Sequence, residues 1–331
     1  MSQARALLGY NKASEWQLQQ NLKTVGYFLK YLHKADALGS SSLQLADYGS
    51  SEGYNSMVTF NNVLSQFRNS SSTPIMVYHT DTEENSWETL FKTINHSNFS
   101  YKRLENIYYS AIGLSFYNQL FPPNTVHLGY SVFSFHHLSK IPSRSNELSM
   151  IIPELRDQFI KDLTLNLSHR IKELVKGGYF ILSIPVVKPS DTIYLEEPLY
   201  EALKNLLIYG EITKEEHKNY MNQWYLMDSP GVDEVFRSFK DKIVIESNEI
   251  TELPSPFYLK YKQDGNIIDY KLGVTNFFKV LWKNNLRRCL NRSEEEKEKI
   301  IDRANQVLFE SINDKGYNFK MQEIVFKKLN S

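Results

Sequence analysis

The chain has 331 residues, 41% of them hydrophobic and 13% aromatic, which is enough apolar material for one large domain or for a domain that carries a substantial insertion. Lysine plus arginine and aspartate plus glutamate both number 38, and the chain shows no basic stripe interleaved with aromatic residues, so we expect no nucleic-acid partner. The single cysteine, Cys289, excludes an intramolecular disulfide framework and a thiolate cluster for zinc, and it fits a reducing, cytoplasmic compartment.

Helices and strands alternate in the first half of the chain. Apolar residues at helical spacing predict helices at 15–34, 56–68 and 153–175. Gly177 and Gly178 follow the last of these helices in the manner of a C-cap. Short apolar runs predict strands at 43–46, 75–79, 108–114, 126–130 and 179–184. Repeats of strand and helix at this spacing predict a largely parallel sheet covered by helices.

The pattern changes after Pro185. Residues 195–290 contain mostly amphipathic helical segments, which predicts an inserted helical cap. The charged segment 293–306 begins with Ser-Glu-Glu-Glu, an N-cap followed by acids that suit the helix dipole, and predicts a solvated outer helix. The apolar run within 322–329 predicts a final strand. We find no run of about eighteen apolar residues and no tight His/Asp/Glu spacing, so we expect neither a membrane span nor a metal site.

One stretch, Leu43 to Asn55, suggests a ligand site. It predicts a buried strand that ends near Asp47 and runs into a turn containing Gly49 and Gly53. In an open α/β sheet, ligands bind beyond the carboxyl ends of the strands, where glycines let the backbone approach the bound molecule. The spacing is neither a dinucleotide motif nor a Walker motif. A nucleoside site and a plain strand-turn-helix are therefore both compatible with this stretch alone.

Further segments along the chain carry polar, aromatic and glycine motifs: Tyr10–Gln17, Ala46–Asn55, His79–Asp81, Ser115–Pro123, Val126–Pro142, Asp162–Arg170, Gly177-Gly178 and Gly210–Glu216. Taken in this order, they resemble the plant SABATH family of small-molecule methyltransferases, and the resemblance extends over nearly the whole chain. That family includes the salicylate, benzoate, jasmonate and indole-acetate carboxyl methyltransferases and the caffeine-pathway N-methyltransferases. Each motif alone is unspecific, but their common order argues against coincidence.

The resemblance implies an α/β fold in which a Rossmann-like class I methyltransferase sheet is flanked by helices and carries an α-helical cap. It also implies S-adenosylmethionine (SAM) as methyl donor, S-adenosylhomocysteine (SAH) as product, and a homodimer. On this basis we expect residues 1–185 and 291–331 to form the SAM-binding domain, with the N-terminal segment closing over the site. Residues 186–290 are expected to form the mostly helical cap.

The resemblance also implies a set of donor contacts. Asp81 is expected to accept hydrogen bonds from the ribose hydroxyls, although a turn-capping acid is the plain alternative. Asp47 and Asn55 flank the turn that faces the methionyl part, and Phe116 covers the adenine. The residues that match the family's cofactor positions are Tyr10, Ser14, Asp47, Gly49, Asn55, Asp81, Ser115 and Phe116.

On the acceptor side, the family holds a substrate carboxylate with a glutamine and a tryptophan. Gln17 matches the glutamine, but His137 stands at the position of the tryptophan and Phe133 at that of a tyrosine. His137 can donate a hydrogen bond as an indole does, and a packed core histidine is the alternative. For Trp224, structural packing is the alternative that we favour. The expected substrate-binding residues are Gln17, Tyr130, Phe133, His136, His137 and Trp224, with Tyr225 as a further candidate.

The expected function is transfer of a methyl group from SAM to the carboxylate of a small organic acid, with Gln17 and His137 as the catalytic pair. A carboxylate is already ionised near pH 7, so positioning rather than a general base supplies the catalysis. Methylation of a heterocycle or phenol, with His136 or His137 as base, stays open. A catalytically silent SAM-binding protein stays open too, as does, more remotely, an interaction module without cofactor.

Overall fold

Seven strands form one mixed sheet in the computed structural model, which describes residues 11, 14–141, 148–187, 197–220 and 223–330. The order across the sheet is β3-β2-β1-β4-β5-β7-β6. The pairs among β1 to β5 are parallel, and β7 runs antiparallel to both β5 and β6. The predicted α/β fold class is confirmed. The strands are β1 (Leu43–Tyr48), β2 (Ile75–Asp81), β3 (Ile107–Gly113), β4 (Val126–Val132), β5 (Leu174–Val186), β6 (Ile243–Pro254) and β7 (Asn318–Lys328).

Helices cover both faces of the sheet. Successive strand residues point to opposite sides, and both sides of the central strands carry apolar side chains that the helices bury. On β1, Leu45 packs with α2 and α3, whereas Ala46 packs with α5 and α8 on the other face. The described helices are α1 (Glu15–Lys23), α2 (Val25–Asp36), α3 (Tyr54–Phe67), α4 (Trp87–His96), α5 (Leu148–Glu173), α6 (Glu197–Ile208), α7 (Lys214–Asn219), α8 (Ser229–Arg237), α9 (Pro256–Asp264), α10 (Ile267–Cys289) and α11 (Glu294–Ser311).

The strand order creates a crevice beside β1. The chain builds β1, β2 and β3 outward on one side and then returns to place β4 and β5 on the other. Such a reversal of direction opens a ligand crevice at the carboxyl ends of the strands. Asp47, at this edge, pairs in register with His79 on β2 and Tyr130 on β4.

Two sequence-based boundaries differ from the structure. The single helix predicted at 15–34 is two helices, which meet at Thr24, where the hydroxyl donates to the Asn21 carbonyl at 2.7 Å. The predicted glycine C-cap after α5 is wrong, because the helix ends at Glu173 and Gly177 lies inside β5. The last carbonyls of α5 accept instead from the N–H groups of 124 and 125, at 3.1 and 2.8 Å.

The cap region is less purely helical than its sequence pattern. Residues 186–290 include β6, which is an edge strand. They also include α8, which packs beside α5 on the same face of the sheet. Helix α11 lies outside that range yet packs against α6 and α10. It buries one face rather than being fully solvated, because Ile301, Ala304 and Leu308 recur at helical spacing. The division into two domains stays a proposal.

Candidate active site

A glycine turn connects β1 to α3 at the crevice. Gly49 and Gly53 have φ values of 93° and 88°, in the left-handed region that favours glycine. The N–H groups of Gly49 and Ser50 both donate to the Thr80 carbonyl, at 2.9 and 3.0 Å. A Cβ atom on Gly49 would lie 2.2 Å from Ser134 Oγ. The turn therefore lies directly against the segment that follows β4, and this approach requires glycine.

Asp47 is held by two donors at the end of β1. Its Oδ2 accepts from Ser56 Oγ at 2.5 Å and lies 3.1 Å from His79 Nδ1. The other ring nitrogen of His79 lies 2.8 Å from the Tyr101 hydroxyl. Because the side chain of Asp47 is only 4% exposed, these contacts set the orientation of its carboxylate at the crevice.

Asp81 occupies the equivalent position at the end of β2. Its two oxygens accept from the N–H groups of Ser51 and Thr82, at 2.7 and 2.8 Å. Burial raises the pKa of Asp81 to about 6, and the negative charge of Asp47 acts in the same direction, whereas the two hydrogen bonds oppose the shift. The crevice thus concentrates negative charge, which favours a ligand that brings hydroxyl donors and a positive charge.

The residues before α1 reach this turn. Ser14 Oγ donates a hydrogen bond to Asn55 Oδ1 at 3.3 Å, so two of the residues predicted to contact SAM touch each other. Asn11 Oδ1 accepts from the N–H of Tyr54 at 3.1 Å. Tyr10, also predicted as a donor contact, lies outside the described residues.

The loop after β3 brings Phe116 to the turn but engages Ser115 elsewhere. The Phe116 ring lies 4.0 Å from the position that a Cβ on Gly49 would take, and it packs on Phe135 with centroids 5.1 Å apart. The Ser115 hydroxyl accepts from the N–H of Tyr117 at 3.4 Å, within its own loop. Phe116 therefore lies beside the glycine turn, and its role as cover for an adenine stays a prediction.

Two crevice residues were missed by sequence reasoning. Asn85 Nδ2 donates to the Ser51 carbonyl at 2.7 Å. Ser51 Oγ and Asn85 Oδ1 are buried with no hydrogen-bond partner among the described residues. Ser51 lies between the two turn glycines, which was the available signal, whereas Asn85 lies in a loop with no distinguishing pattern. Unpaired buried oxygens beside two carboxylates fit a polar, positively charged nucleoside such as SAM.

A histidine pair lies in the segment that follows β4. The rings of His136 and His137 are 4.5 Å apart, and Trp224 lies 6.4 Å from His137. Burial lowers the pKa of His137 to about 4, and burial and the neighbouring His137 hold the pKa of His136 well below its usual range. Both imidazoles are therefore neutral at pH 7. Phe133, at the start of this segment, has a left-handed φ of 56°, which is uncommon for a bulky residue.

An aromatic cluster connects Trp16, on α1, with Phe133, in the segment that follows β4. Phe319 packs against Trp16, the neighbour of Gln17, at 4.5 Å, and against Phe133 at 5.4 Å. Gln17 Oε1 and His136 Nδ1 are buried without a hydrogen-bond partner in the described part of the chain. The predicted acceptor residues thus include two polar atoms that are available to a ligand.

Tyr130, also predicted to bind substrate, does not pack with the histidine pair. Its hydroxyl is 2.7 Å from Thr24 Oγ1 and donates to Asn21 Oδ1 at 2.9 Å. Its ring stacks on Phe28 with centroids 4.8 Å apart. Tyr130 therefore packs with α1 and α2 rather than with the histidine pair, and a substrate role for it stays a prediction.

No helix among the described residues is long and apolar enough to cross a membrane. The same residues contain no group of three or more His, Cys, Asp or Glu side chains arranged to hold a metal ion.

Comparison with known proteins identifies the family. The profile of a family described as SAM dependent carboxyl methyltransferase matches residues 7–328. The chain belongs to this family. The SABATH resemblance is confirmed, and SAM is the family's methyl donor.

Curated members of the family are similar over part of their length. A probable 7-methylxanthine methyltransferase of Theobroma cacao is 30% identical over 209 residues, which are 52% of this chain and 55% of the relative. The salicylate/benzoate carboxyl methyltransferase of Arabidopsis thaliana is 27% identical over 236 residues, 63% of this chain and 61% of the relative. The chain spans about half the length of the first curated relatives it matches.

The solved structure of a loganic acid methyltransferase with SAH matches the whole fold. Its TM-score is 0.78 at 17% identity, and the match covers 100% of this chain and 99% of that chain. The fold is that of a class I SAM-dependent methyltransferase, as predicted.

Proposed function

We propose that this chain transfers the methyl group of SAM to the carboxylate of a small organic acid, giving a methyl ester and SAH. The observation that carries the proposal is the close approach of Gly49 and Ser134. It places the histidine segment, residues 133–137, against the turn between the two crevice carboxylates. A donor held by that turn and an acceptor held by that segment are then neighbours, which is the main requirement of a direct transfer.

The donor side suits SAM by charge and by shape. SAM supplies an electrophilic methyl group on a sulfonium. Asp81, Asp47 and Asn55 lie around the glycine turn, and Phe116 lies beside it. In the proposal, Asp81 accepts from the ribose hydroxyls, Asp47 and Asn55 bind the methionyl part, and Phe116 covers the adenine. The two carboxylates complement the positive charge of the donor.

The acceptor side suits an anion that arrives already ionised. His137, with its pKa lowered to about 4, is neutral and donates one N–H in place of the indole N–H of the family's tryptophan. Gln17 is buried directly after Trp16 of the aromatic cluster, and its amide N–H₂ group is a hydrogen-bond donor of the kind that a carboxylate accepts. A base with so low a pKa is poorly matched to deprotonating a phenol or an amine at pH 7. We therefore favour a carboxylate over a phenol or a ring nitrogen as the acceptor.

Methyl-labelled SAM tests the proposal. Purified protein is incubated with benzoate or salicylate, with 7-methylxanthine, with phenol, and with a cell extract. We expect label in an ester that mild alkali releases. Label in a product that resists alkali would instead establish the heterocycle or phenol reaction, and SAH binding with no labelled product from any source would establish a silent binding protein.

Matched variants assign the two sides of the site. Asp81→Asn should abolish or strongly reduce transfer to every acceptor, whereas Asp241→Asn changes an exposed acid and should have no effect. His137→Phe should raise the KM for the acid and leave SAH binding intact, with the exposed His33→Phe as its control. An unchanged KM in His137→Phe would remove His137 from the acceptor site.

We also propose that the protein is a cytoplasmic homodimer. The one cysteine of the chain, Cys289, is compatible with a reducing compartment. Apolar side chains on the edge strands are exposed, among them Tyr108 on β3 (56%) and Ile250 on β6 (55%), and such edges are surfaces that a second copy can cover. Light scattering on the purified protein distinguishes dimer from monomer.

A further inference from the structure

A tyrosine hydroxyl connects the loop after β3, residues 115–121, to the histidine segment. We call this loop the donor loop, because Phe116 within it is the residue proposed to cover the methyl donor. Tyr117 follows Phe116 directly, and their ring centroids are 4.9 Å apart. The Tyr117 side chain is buried, and its hydroxyl donates to the main-chain carbonyl of His137. Burial raises the pKa of Tyr117 well above its usual value, so the hydroxyl keeps the proton that it donates. The loop that covers the donor and the segment that faces the acceptor are thus joined by one hydrogen bond.

Helix α5 anchors the two sides of this connection separately. Arg170 donates to the carbonyls of Phe116 and Asn118, at 2.9 and 2.8 Å. Nearer the start of the helix, Asp162 accepts from the N–H and the hydroxyl of Ser139, at 2.7 and 2.6 Å. Both flanks are held by one rigid element. Between them, the His137 carbonyl is the group whose orientation Tyr117 itself holds, while the neighbouring His136 carbonyl accepts from the N–H of Tyr225 at 2.9 Å.

The peptides around His137 report on that orientation. The N–H of His137 donates to the Ser134 carbonyl at 3.1 Å, and the N–H of Leu138 donates to the Gln223 carbonyl at 2.7 Å. Ser134 is the residue that touches the Gly49 turn. A change in the donor loop can therefore reach the histidine pair by two routes, through Ser134 and through the Tyr117 hydroxyl.

We propose that Tyr117 is a positioning residue that transmits donor binding to the acceptor site, so that occupancy beside Phe116 stabilises the peptide of His137. The inference rests on the proposed function. It concerns coupling between the SAM site and the acceptor site. Such coupling requires that both ligands favour the same arrangement of one shared element, which here is the peptide of His137. The Tyr117 ring is held by packing, and its hydroxyl supplies the connection to the acceptor segment.

Hydrogen exchange with SAH as the probe tests this without a known acceptor. In the wild-type protein, SAH should slow exchange at 115–121 and also at the amides of His137 and Leu138. In Tyr117→Phe, which keeps the ring, protection at the donor loop should persist while that of the two histidine-segment amides falls about fivefold to tenfold, as for one lost hydrogen bond. Tyr109→Phe is the control, because the Tyr109 hydroxyl donates to Asn95 away from this connection.

Two results overturn the inference. In the first, SAH slows hydrogen exchange in the donor loop of the wild-type protein but leaves exchange at 133–139 unchanged. This result does not depend on whether any variant folds. The other is full protection of these amides in Tyr117→Phe. Failure of the proposed function gives a different result, since wild-type protein would then bind no SAH or methylate no acid. With an accepted acid in hand, Tyr117→Phe should raise the KM for the acid more than it lowers kcat.

Discussion

The imidazole of His79 bridges Asp47 and Tyr101 at the carboxyl edge of the sheet. In the tautomer that donates from Nδ1 to the carboxylate, Nε2 accepts from the tyrosine hydroxyl, and the two distances are 3.1 and 2.8 Å. All three side chains are buried. The orientation of the Asp47 carboxylate therefore depends on His79, which is fully buried.

Replacing His79 should weaken both folding and donor binding. His79→Leu removes the partner of the Tyr101 hydroxyl and one of the two donors to Asp47, and one buried unsatisfied group costs about 1–3 kcal/mol. Urea unfolding should show a loss of that order, and SAH should bind more weakly because Asp47 retains only Ser56 as donor. Tyr101→Phe, which removes the outer contact alone, should have a smaller effect on SAH. Equal SAH affinity in His79→Leu and wild type would contradict this role.

Donor affinity should depend on pH through Asp81. Burial raises the pKa of Asp81 to about 6, so the free protein takes up a proton there as the pH falls through 6. Ribose hydroxyls need the ionised carboxylate as acceptor, so SAH affinity should fall with decreasing pH, approaching about tenfold per pH unit well below 6. Fluorescence titrations from pH 5 to 8 measure this. Asp81→Asn should bind weakly with little pH dependence, and a wild-type profile as flat as that of the variant would refute the assignment.

Replacing either partner of the ion pair between Arg170 and Glu173 should strongly destabilise the fold. Both side chains are fully buried, and Arg170 Nε lies 2.8 Å from Glu173 Oε2. Removing one partner of a buried pair leaves an uncompensated charge, which costs about 3–5 kcal/mol. Arg170→Met should therefore lose that much in chemical denaturation, and the double variant Arg170→Met with Glu173→Leu should recover part of it.

The exposed pair of Lys92 and Glu88 provides the comparison. Its side chains are 66% and 80% exposed, so Lys92→Met should leave the unfolding midpoint unchanged. If Arg170→Met were as mild as Lys92→Met, the buried pair would not be holding the donor loop as described.

Gly49→Ala should do more harm than its backbone conformation alone explains. Gly39 has a similar φ, 76°, and nothing lies within 4 Å of the position of an added Cβ, whereas at Gly49 the added atom meets Ser134. Both alanine variants carry the strain of a left-handed residue, about 1 kcal/mol. The extra destabilisation of Gly49→Ala in thermal melts, with a loss of SAH binding, would measure the contact between turn and histidine segment. Equal effects of the two variants would show that Ser134 moves away at no cost.

The donor edge was predictable from sequence because a parallel sheet brings strand ends together. Once 43–46 and 75–79 were predicted as strands, Asp47 and Asp81 had to lie at the same edge, and they do: Asp47 pairs with His79, two residues before Asp81. The hydroxyl of Tyr130 was not predictable in this way. A short apolar run is compatible with either face of a sheet, and the partners of Tyr130, Thr24 and Asn21, lie over a hundred positions away.

Strand β6 was missed because its sequence carries no core signature. Its residues 246–249 are Glu, Ser, Asn and Glu, and an edge strand needs neither apolar alternation nor burial on both faces. The helix α11 was placed correctly, since Ser293 and Glu296 form the capping box that its first residues indicate. Its buried face depends on α6 and α10, which local sequence does not reveal.

Calorimetric titration of SAH into the purified chain at pH 7.5 tests the central claim most directly, because it requires no knowledge of the acceptor. We expect saturable binding at one site per chain, abolished or strongly weakened by Asp81→Asn and unchanged by Asp241→Asn. Absence of binding at millimolar SAH, or equal binding by the Asp81→Asn variant, would contradict a donor site between Asp47 and Asp81.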